Sequence, residues 1–237
     1  MIIAVPSKGR AGLTTTNKVL PNCIFYVPES EAHQYSNIKN VISVPKEIKG
    51  ITKTRNWILK NTDDKWVVFI DDDVRNCGYT KMNEFRCEKI SIKDETFWIN
   101  EFVKIFDLTE QIGYKIWGVK TESAPRSVYP YMPIRFKRYV TASCMGIIND
   151  GSYYFNEDFI VKEDYEICIR HIINKGGIIG IEYLHWENDH WEQDGGCKDY
   201  RTIEVEREAI KRLNKMYPGM IRMAKRKANK FTIQLSL

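Results

Sequence analysis

Three consecutive carboxylates, Asp71, Asp72 and Asp73, follow directly on the apolar run Trp66-Val-Val-Phe-Ile70. Like charges held that close repel by about 1 kcal/mol at 4 Å in water and several times more near a protein surface, a penalty that a divalent cation removes. Extended backbone alternates its side chains, so Asp71 and Asp73 are expected on one side and Asp72 on the other. The same acids would also suit a solvated turn, because Asp favours turns and helix caps.

Other residues able to do chemistry recur along the chain. The loop Ser7-Lys-Gly-Arg-Ala-Gly12 carries two glycines and two cations where the apolar run Ile2 to Val5 stops at Pro6, a setting suited to a nucleotide. Neither GxGxxG nor GxxxxGK[ST] is present there. Lys53 and Arg55 fall in the first turn of an expected helix, where the dipole disfavours cations by a few tenths of a kcal/mol. An anion nearby, or an ordinary surface ion pair, would explain them. Glu163 and Asp164 open a later helix, where carboxylates are favoured and where a catalytic acid would be held rigidly. His185 and His190, two of the four histidines, lie in one polar, aromatic-rich stretch. Histidine is the commonest metal ligand, although a loop histidine also serves as a plain surface group.

These residues need a sheet to bring them together. Apolar runs at residues 2–5, 23–27, 41–44, 66–70, 115–119, 140–148 and 178–184 read as strands, and helical patterns stand between several of them. That order predicts an α/β chain with a mixed, mostly parallel sheet flanked by helices. The run at 66–70 is the kind buried on both faces, and ligands bind at the carboxyl ends of such strands. Ile51 to Leu59 reads as a helix capped by Thr52, and Ser91-Ile-Lys-Asp94 as a capping box opening a longer one. That second helix carries Trp98, Phe102, Ile105 and Ile112 near one face and ends at Gly113. Arg75 to Arg86 reads as a loop. Residues 121–139 lose all periodicity and interleave Pro125, Pro130 and Pro133 with Arg126, Tyr129, Arg135 and Arg138. Such a segment suits a partner with flat rings and phosphates, or simply a stiffened lid.

The 237 residues, 43% of them apolar, suffice for one sizeable core. A helical, basic C-terminal extension at 198–237, packed on a domain at 1–197, is expected. It holds eleven Lys and Arg against four Asp and Glu, a balance of +7 within a net +5, leaving the rest at −2. An acidic or nucleic-acid partner fits that imbalance, as does a solvated face. Ile203, Ile210 and Leu213 are expected on the inner side of its helix. No stretch approaches the roughly 20 apolar residues of a membrane span, no signal peptide is legible at Met1, and six cysteines without a CxxC pair suggest reduced thiols in the cytoplasm.

In this order the pieces resemble the GT-A (Rossmann-like) fold of nucleotide-sugar glycosyltransferases. Ile70-Asp-Asp-Asp-Val74 looks like their Asp-x-Asp motif, Thr54-Arg-Asn56 is similar to their Arg-Asn helix start, and Lys162-Glu-Asp164 resembles their Glu-Asp motif; the likeness spans about residues 1–196. It is nearest to the small phage enzymes that glycosylate hydroxymethylated pyrimidines in DNA, some encoded beside base-oxidising dioxygenases. The resemblance implies Mn²⁺ or Mg²⁺ held by Asp73, with Asp71 sharing it or contacting the nucleoside. His185, or alternatively His190, would be a further ligand of the metal or diphosphate. A nucleotide-sugar donor, foremost a UDP-sugar, would meet Pro6, Ser7, Arg10, Arg55, Asp71 and Asp72. Asp164 would be the general base if transfer inverts the anomeric centre, and Arg126, Tyr129, Arg135 and Glu163 would face the acceptor. DNA is the implied partner, in a host cytoplasm if phage-encoded. A glycan- or protein-directed glycosyltransferase, a nucleotidyltransferase and a non-catalytic nucleic-acid binder are the alternatives.

Overall fold

The computed structural model describes residues 1–82, 87–121, 132–188, 200–223 and 233–236. Strands β1 (Ile2–Pro6), β2 (Ile24–Pro28) and β3 (Val41–Val44) come first, then helix α1 (Ile51–Lys60) and β4 (Trp66–Ile70). β5 (Val74–Met82), β6 (Cys87–Ser91), α2 (Glu95–Ile112), β7 (Ile116–Lys120), β8 (Ile134–Arg135) and β9 (Cys144–Ile148) follow. The chain continues through α3 (Glu163–Lys175), β10 (Ile179–Asn188), α4 (Ile203–Met216), β11 (Ile221–Met223) and β12 (Ile233–Leu235).

The main sheet has the order β3-β2-β1-β4-β9-β7-β10-β5-β6, with β8 on β10. β1 to β4 pair in parallel, whereas β9 is antiparallel to both β4 and β7. β4 returns to the opposite side of β1 from β2, so the strand order reverses there and leaves a crevice at the carboxyl ends of β1 and β4. Pro6 ends one of those strands and the three acids follow the other.

β4 is buried on both faces because its alternate residues serve two cores. Val68 and Ile70 pack with Trp98, Phe102, Ile105 and Phe106 of α2; Val67 and Phe69 pack with Ile58 and Leu59 of α1 and Ile167, Cys168 and Ile172 of α3. Gly146 of β9 lets Trp117 lie flat against the sheet: a Cβ there would sit 2.0 Å from the indole ring. A third core joins Phe159, Val161 and Ile169 to Ala209, Leu213, Ile221 and Ile233. The described cysteines at 23, 77, 144 and 168 are free and buried, and burial pushes the Cys23 and Cys77 thiols up to about 12. No described helix is long and apolar enough to cross a membrane.

Several local expectations are corrected. Residues 75–82 are strand rather than loop: β5 pairs antiparallel with β10, placing Gly78 opposite His185 and Cys77 opposite Trp186. β10 accordingly runs on to Asn188, so His185 is in a strand. Helix α1 is capped by Gly50 (φ 88°) instead of Thr52, whose hydroxyl donates to the Phe159 carbonyl at 2.6 Å. Asp94, not Ser91, caps α2 by accepting from Thr96 N at 2.9 Å. Ile112 and Ile203 are 38% and 52% exposed, each being a terminal residue of its helix beyond the packed turns. Past Pro218 the described chain is no longer helical, since β11 and β12 pair antiparallel.

Candidate active site

The acidic turn is clamped from beneath by the segment after β1. Thr16 Oγ1 donates to the Asp71 carbonyl at 2.6 Å and accepts from Val74 N at 3.2 Å, while Thr15 N and Thr16 N donate to the Asp72 carbonyl. β4 stops at Ile70, so the three side chains leave a turn and strand alternation does not govern them. Asp72 and Asp73, expected to diverge, converge on one cation: Arg10 Nη1 lies 2.6 Å from Asp72 Oδ1 and 3.1 Å from Asp73 Oδ2. Ser7 Oγ donates to the other Asp72 oxygen and is within 2.9 Å of the Tyr35 hydroxyl. Burial pushes the Asp72 carboxyl up, against the pull of Arg10 and Ser7.

Asp71 is the open member of the three, with about a third of its side chain exposed. It accepts from Asn188 Nδ2 at 3.1 Å and lies 3.8 Å from Arg55 Nη2. The Arg55 guanidinium is buried over the Phe69 and Phe155 rings, and its Nη1 donates to Glu163 Oε1 at 2.6 Å. Burial and neighbouring Asp164 push the Glu163 carboxyl up, and Arg55 opposes them. Glu163, expected on the acceptor, is thus buried under Arg55. Asp164 is partly exposed; its Oδ2 accepts from the Tyr139 hydroxyl and its Oδ1 from Tyr165 N at 2.9 Å. The Tyr139 and Tyr165 rings stack with centroids 3.8 Å apart. Enclosure and Asp164 hold the Tyr139 phenol well above its ordinary value.

His185 is buried in β10. Arg135 lies against buried Glu182, Nε to Oε1 3.7 Å, and Arg138 pairs with the same carboxylate. Arg126, Tyr129 and His190 lie outside the described residues. The sequence reading missed Thr16, Tyr35, Asn188 and Tyr139. The first three carry no motif, and only strand pairing and the β1 loop bring them to the acids. Tyr139 ends an aperiodic segment, and the one signal for it was its aromatic character.

Among the described residues no three His, Cys, Asp or Glu side chains gather as a metal cage. Magnesium-type sites do not need one, since one or two carboxylates and the substrate's phosphates complete them. Asp71, Asp72, Asp73 and Glu163 set four formal negative charges against those of Arg10 and Arg55. This hard-oxygen, net-negative donor set at a strand end fits a divalent cation brought with a diphosphate.

A mixed sheet with a reversal crevice, an acidic strand end and an acidic helix start facing it has the architecture of the GT-A fold. The chain belongs to the TET-associated glycosyltransferase family, whose sequence profile matches residues 1–196. No curated protein matches the sequence. Among solved structures it is similar to TarS 1–349 of S. aureus in complex with UDP-GlcNAc, at 15% identity and a TM-score of 0.51, over 90% of this chain and 67% of that one. It is also similar to glucosyl-3-phosphoglycerate synthase of Mycobacterium tuberculosis in complex with Mn²⁺, UDP-glucose and phosphoglyceric acid. There the identity is 11% and the TM-score 0.53, over 95% and 84% of the two chains. The chain spans 66% of a further TarS 1–349 structure and 40% of a longer TarS chain.

Proposed function

We propose that this chain transfers a sugar from a nucleotide diphosphate donor, a UDP-sugar, to the hydroxyl of a hydroxymethylated pyrimidine in DNA. The observation that carries the site assignment is Arg55, which reaches Asp71 at 3.8 Å and Glu163 at 2.6 Å. One buried guanidinium thereby ties the strand-end acids to the helix bearing Asp164. The TET association in the family's description supports this acceptor: oxidation of a methylated base creates a hydroxyl able to accept a glycosyl group. The UDP-GlcNAc complex of TarS and the Mn²⁺ and UDP-glucose complex of the synthase support the donor and metal.

In this mechanism Ser7 and Arg10 line the nucleotide pocket at the end of β1, and Arg55 faces the diphosphate. Asp71 and Asp73 would hold Mn²⁺ or Mg²⁺, with His185 on the metal or diphosphate. When bound, the metal supplies Lewis-acid stabilisation of the leaving diphosphate. Asp164 takes the proton of the acceptor hydroxyl while that oxygen bonds to the anomeric carbon and the bond to the diphosphate breaks, inverting the centre. Arg126, Tyr129 and Arg135 contact the DNA acceptor, with the target base drawn out of its stack.

The test is incubation with a panel of nucleotide sugars, Mn²⁺, and DNA with or without hydroxymethylcytosine, read by nucleoside mass spectrometry. A hexose or pentose mass on the modified base is expected; the mass on a glycan and never on DNA overturns the acceptor. Asp73→Asn is expected to lower transfer and donor hydrolysis at least a hundredfold while DNA binding is kept. Hydrolysis surviving in that variant removes Asp73 from the metal.

A further inference from the structure

Lys162, immediately before Glu163 and Asp164, is the only described non-glycine residue with positive φ, at φ 60° and ψ 21°. A side chain that is neither Gly nor Asn is strained in the left-handed region, and such a residue persists only where its surroundings hold it. It also stands at the N-cap of α3 without any side-chain capping bond. What holds it comes from the C-terminal segment. Lys162 Nζ, buried, lies 2.9 Å from Glu206 Oε2 on α4 and 5.3 Å from the centre of the Tyr165 ring. Glu206 is also buried, and its other oxygen accepts from Arg201 Nε at 2.5 Å.

Two more contacts run from the same segment to the same helix. The Tyr217 hydroxyl donates to Glu166 Oε1 at 2.8 Å, and the Tyr165 hydroxyl donates to the Ile233 carbonyl at 2.8 Å. Tyr165 stacks on Tyr139, whose hydroxyl rests on Asp164. These contacts converge on the N-cap residue of α3 and on its first turn.

We propose that the C-terminal segment is a positioning device for the transfer site: Glu206, through Lys162, holds the left-handed backbone that launches α3 and so sets the bearing of Glu163 and Asp164. Lys162 and Glu206 are positioning residues; neither touches substrate, and the inference rests on the base role proposed for Asp164. Without Glu206 the strained residue relaxes, the helix start unwinds, and the base leaves its place while the nucleotide loop after β1 stays put.

Glycine adopts the left-handed conformation without help, so a glycine at 162 no longer needs Glu206. In the full-length protein, Glu206→Ala is expected to lower kcat for transfer at least tenfold, with the donor KM changed less than threefold. Its first-turn amides, residues 163–166, are expected to exchange hydrogen at least tenfold faster by mass spectrometry. Adding Lys162→Gly to Glu206→Ala should return both readouts to within threefold of the parent. Adding Lys162→Ala instead removes the same buried charge but keeps the strain, and should leave both readouts impaired. Equal behaviour of the two double variants overturns the proposal, and so does faster exchange without a loss of kcat. If the parent transfers no sugar to any acceptor, the function proposed above fails instead, and exchange at 163–166 alone decides whether the clamp exists.

Discussion

Arg10 occupies the position in which a cation would be expected, bound to Asp72 at 2.6 Å and to Asp73 at 3.1 Å. The three adjacent acids therefore do three different things. Asp72 is an anchor, buried with Ser7 and Arg10; Asp73 shares that arginine; Asp71 stays open beside Arg55 and Asn188. Asp72→Ala removes the closer Arg10 contact and the bond from Ser7 while Asp73 still faces Arg10, so it should cost about 2 kcal/mol of stability. It should weaken Mn²⁺ binding in the presence of UDP less than threefold, against at least tenfold for Asp73→Asn. Calorimetric titration of both variants, with urea unfolding of each, checks the division, and an Asp72 variant that loses the metal as completely as the Asp73 variant defeats it. The acids were legible in the sequence, since three carboxylates closing a continuous apolar run repel one another and call for a counter-charge. Their separate roles were not, because those depend on Arg10 and Thr16, more than fifty residues earlier and brought near only by the β1–β4 pairing.

At the scale of elements, strands with one dominant signal were readable and strands built from mixed signals were not. β4 announces itself because both of its faces are apolar. β5 carries Arg75, Asn76 and Gly78 and has no alternation to detect; it is a strand because β10 and β6 supply its backbone partners. Helix α3 shows a related limit. His171 within it carries no sequence signal, yet it is fully buried. Its Nε2 accepts from Lys115 N at 3.0 Å and its Nδ1 pairs with the Gly177 carbonyl at 2.7 Å, tying the helix end to the start of β7. Burial pulls its pKa down to about 4, from an ordinary 6.5. Above 6.5 neither folded nor unfolded chain protonates this group, and it imposes no pH dependence. As pH falls from 6.5 to 4 the unfolded chain takes up a proton that the folded chain refuses, so stability declines by up to about 3 kcal/mol. Urea unfolding at pH 7.5, 5.5 and 4.5 should show that decline, and His171→Gln, less stable at pH 7.5, should flatten it. An unchanged slope in the variant would assign the acid sensitivity to other groups.

For the whole molecule, charge and packing give the C-terminal segment two separable tasks. Its apolar residues Leu213, Ile221 and Ile233 complete the core under α3; the helical pattern of the sequence marked Leu213 as inward, whereas Ile221 and Ile233 lie in the β11–β12 pair that no sequence signal announced. Under the proposed function its cations are the candidates for a DNA-facing charge, since the first 197 residues carry −2. Phosphate contacts show themselves in salt dependence: each one adds about 0.9 to the slope of log affinity against log salt on duplex DNA. Replacing Lys225, Arg226, Lys227 and Lys230 together with Gln should therefore lower that slope by about 3 to 4 if all four face phosphate. Donor hydrolysis without DNA should stay within twofold, because none of the four lies among the residues assigned to the donor. Binding isotherms between 50 and 200 mM salt, run beside the hydrolysis assay, separate the outcomes. An unchanged slope moves DNA recognition to the 122–138 segment with Arg126, Arg135 and Arg138. Hydrolysis lost in parallel would mean that the basic stretch supports the fold as well, merging the two tasks into one.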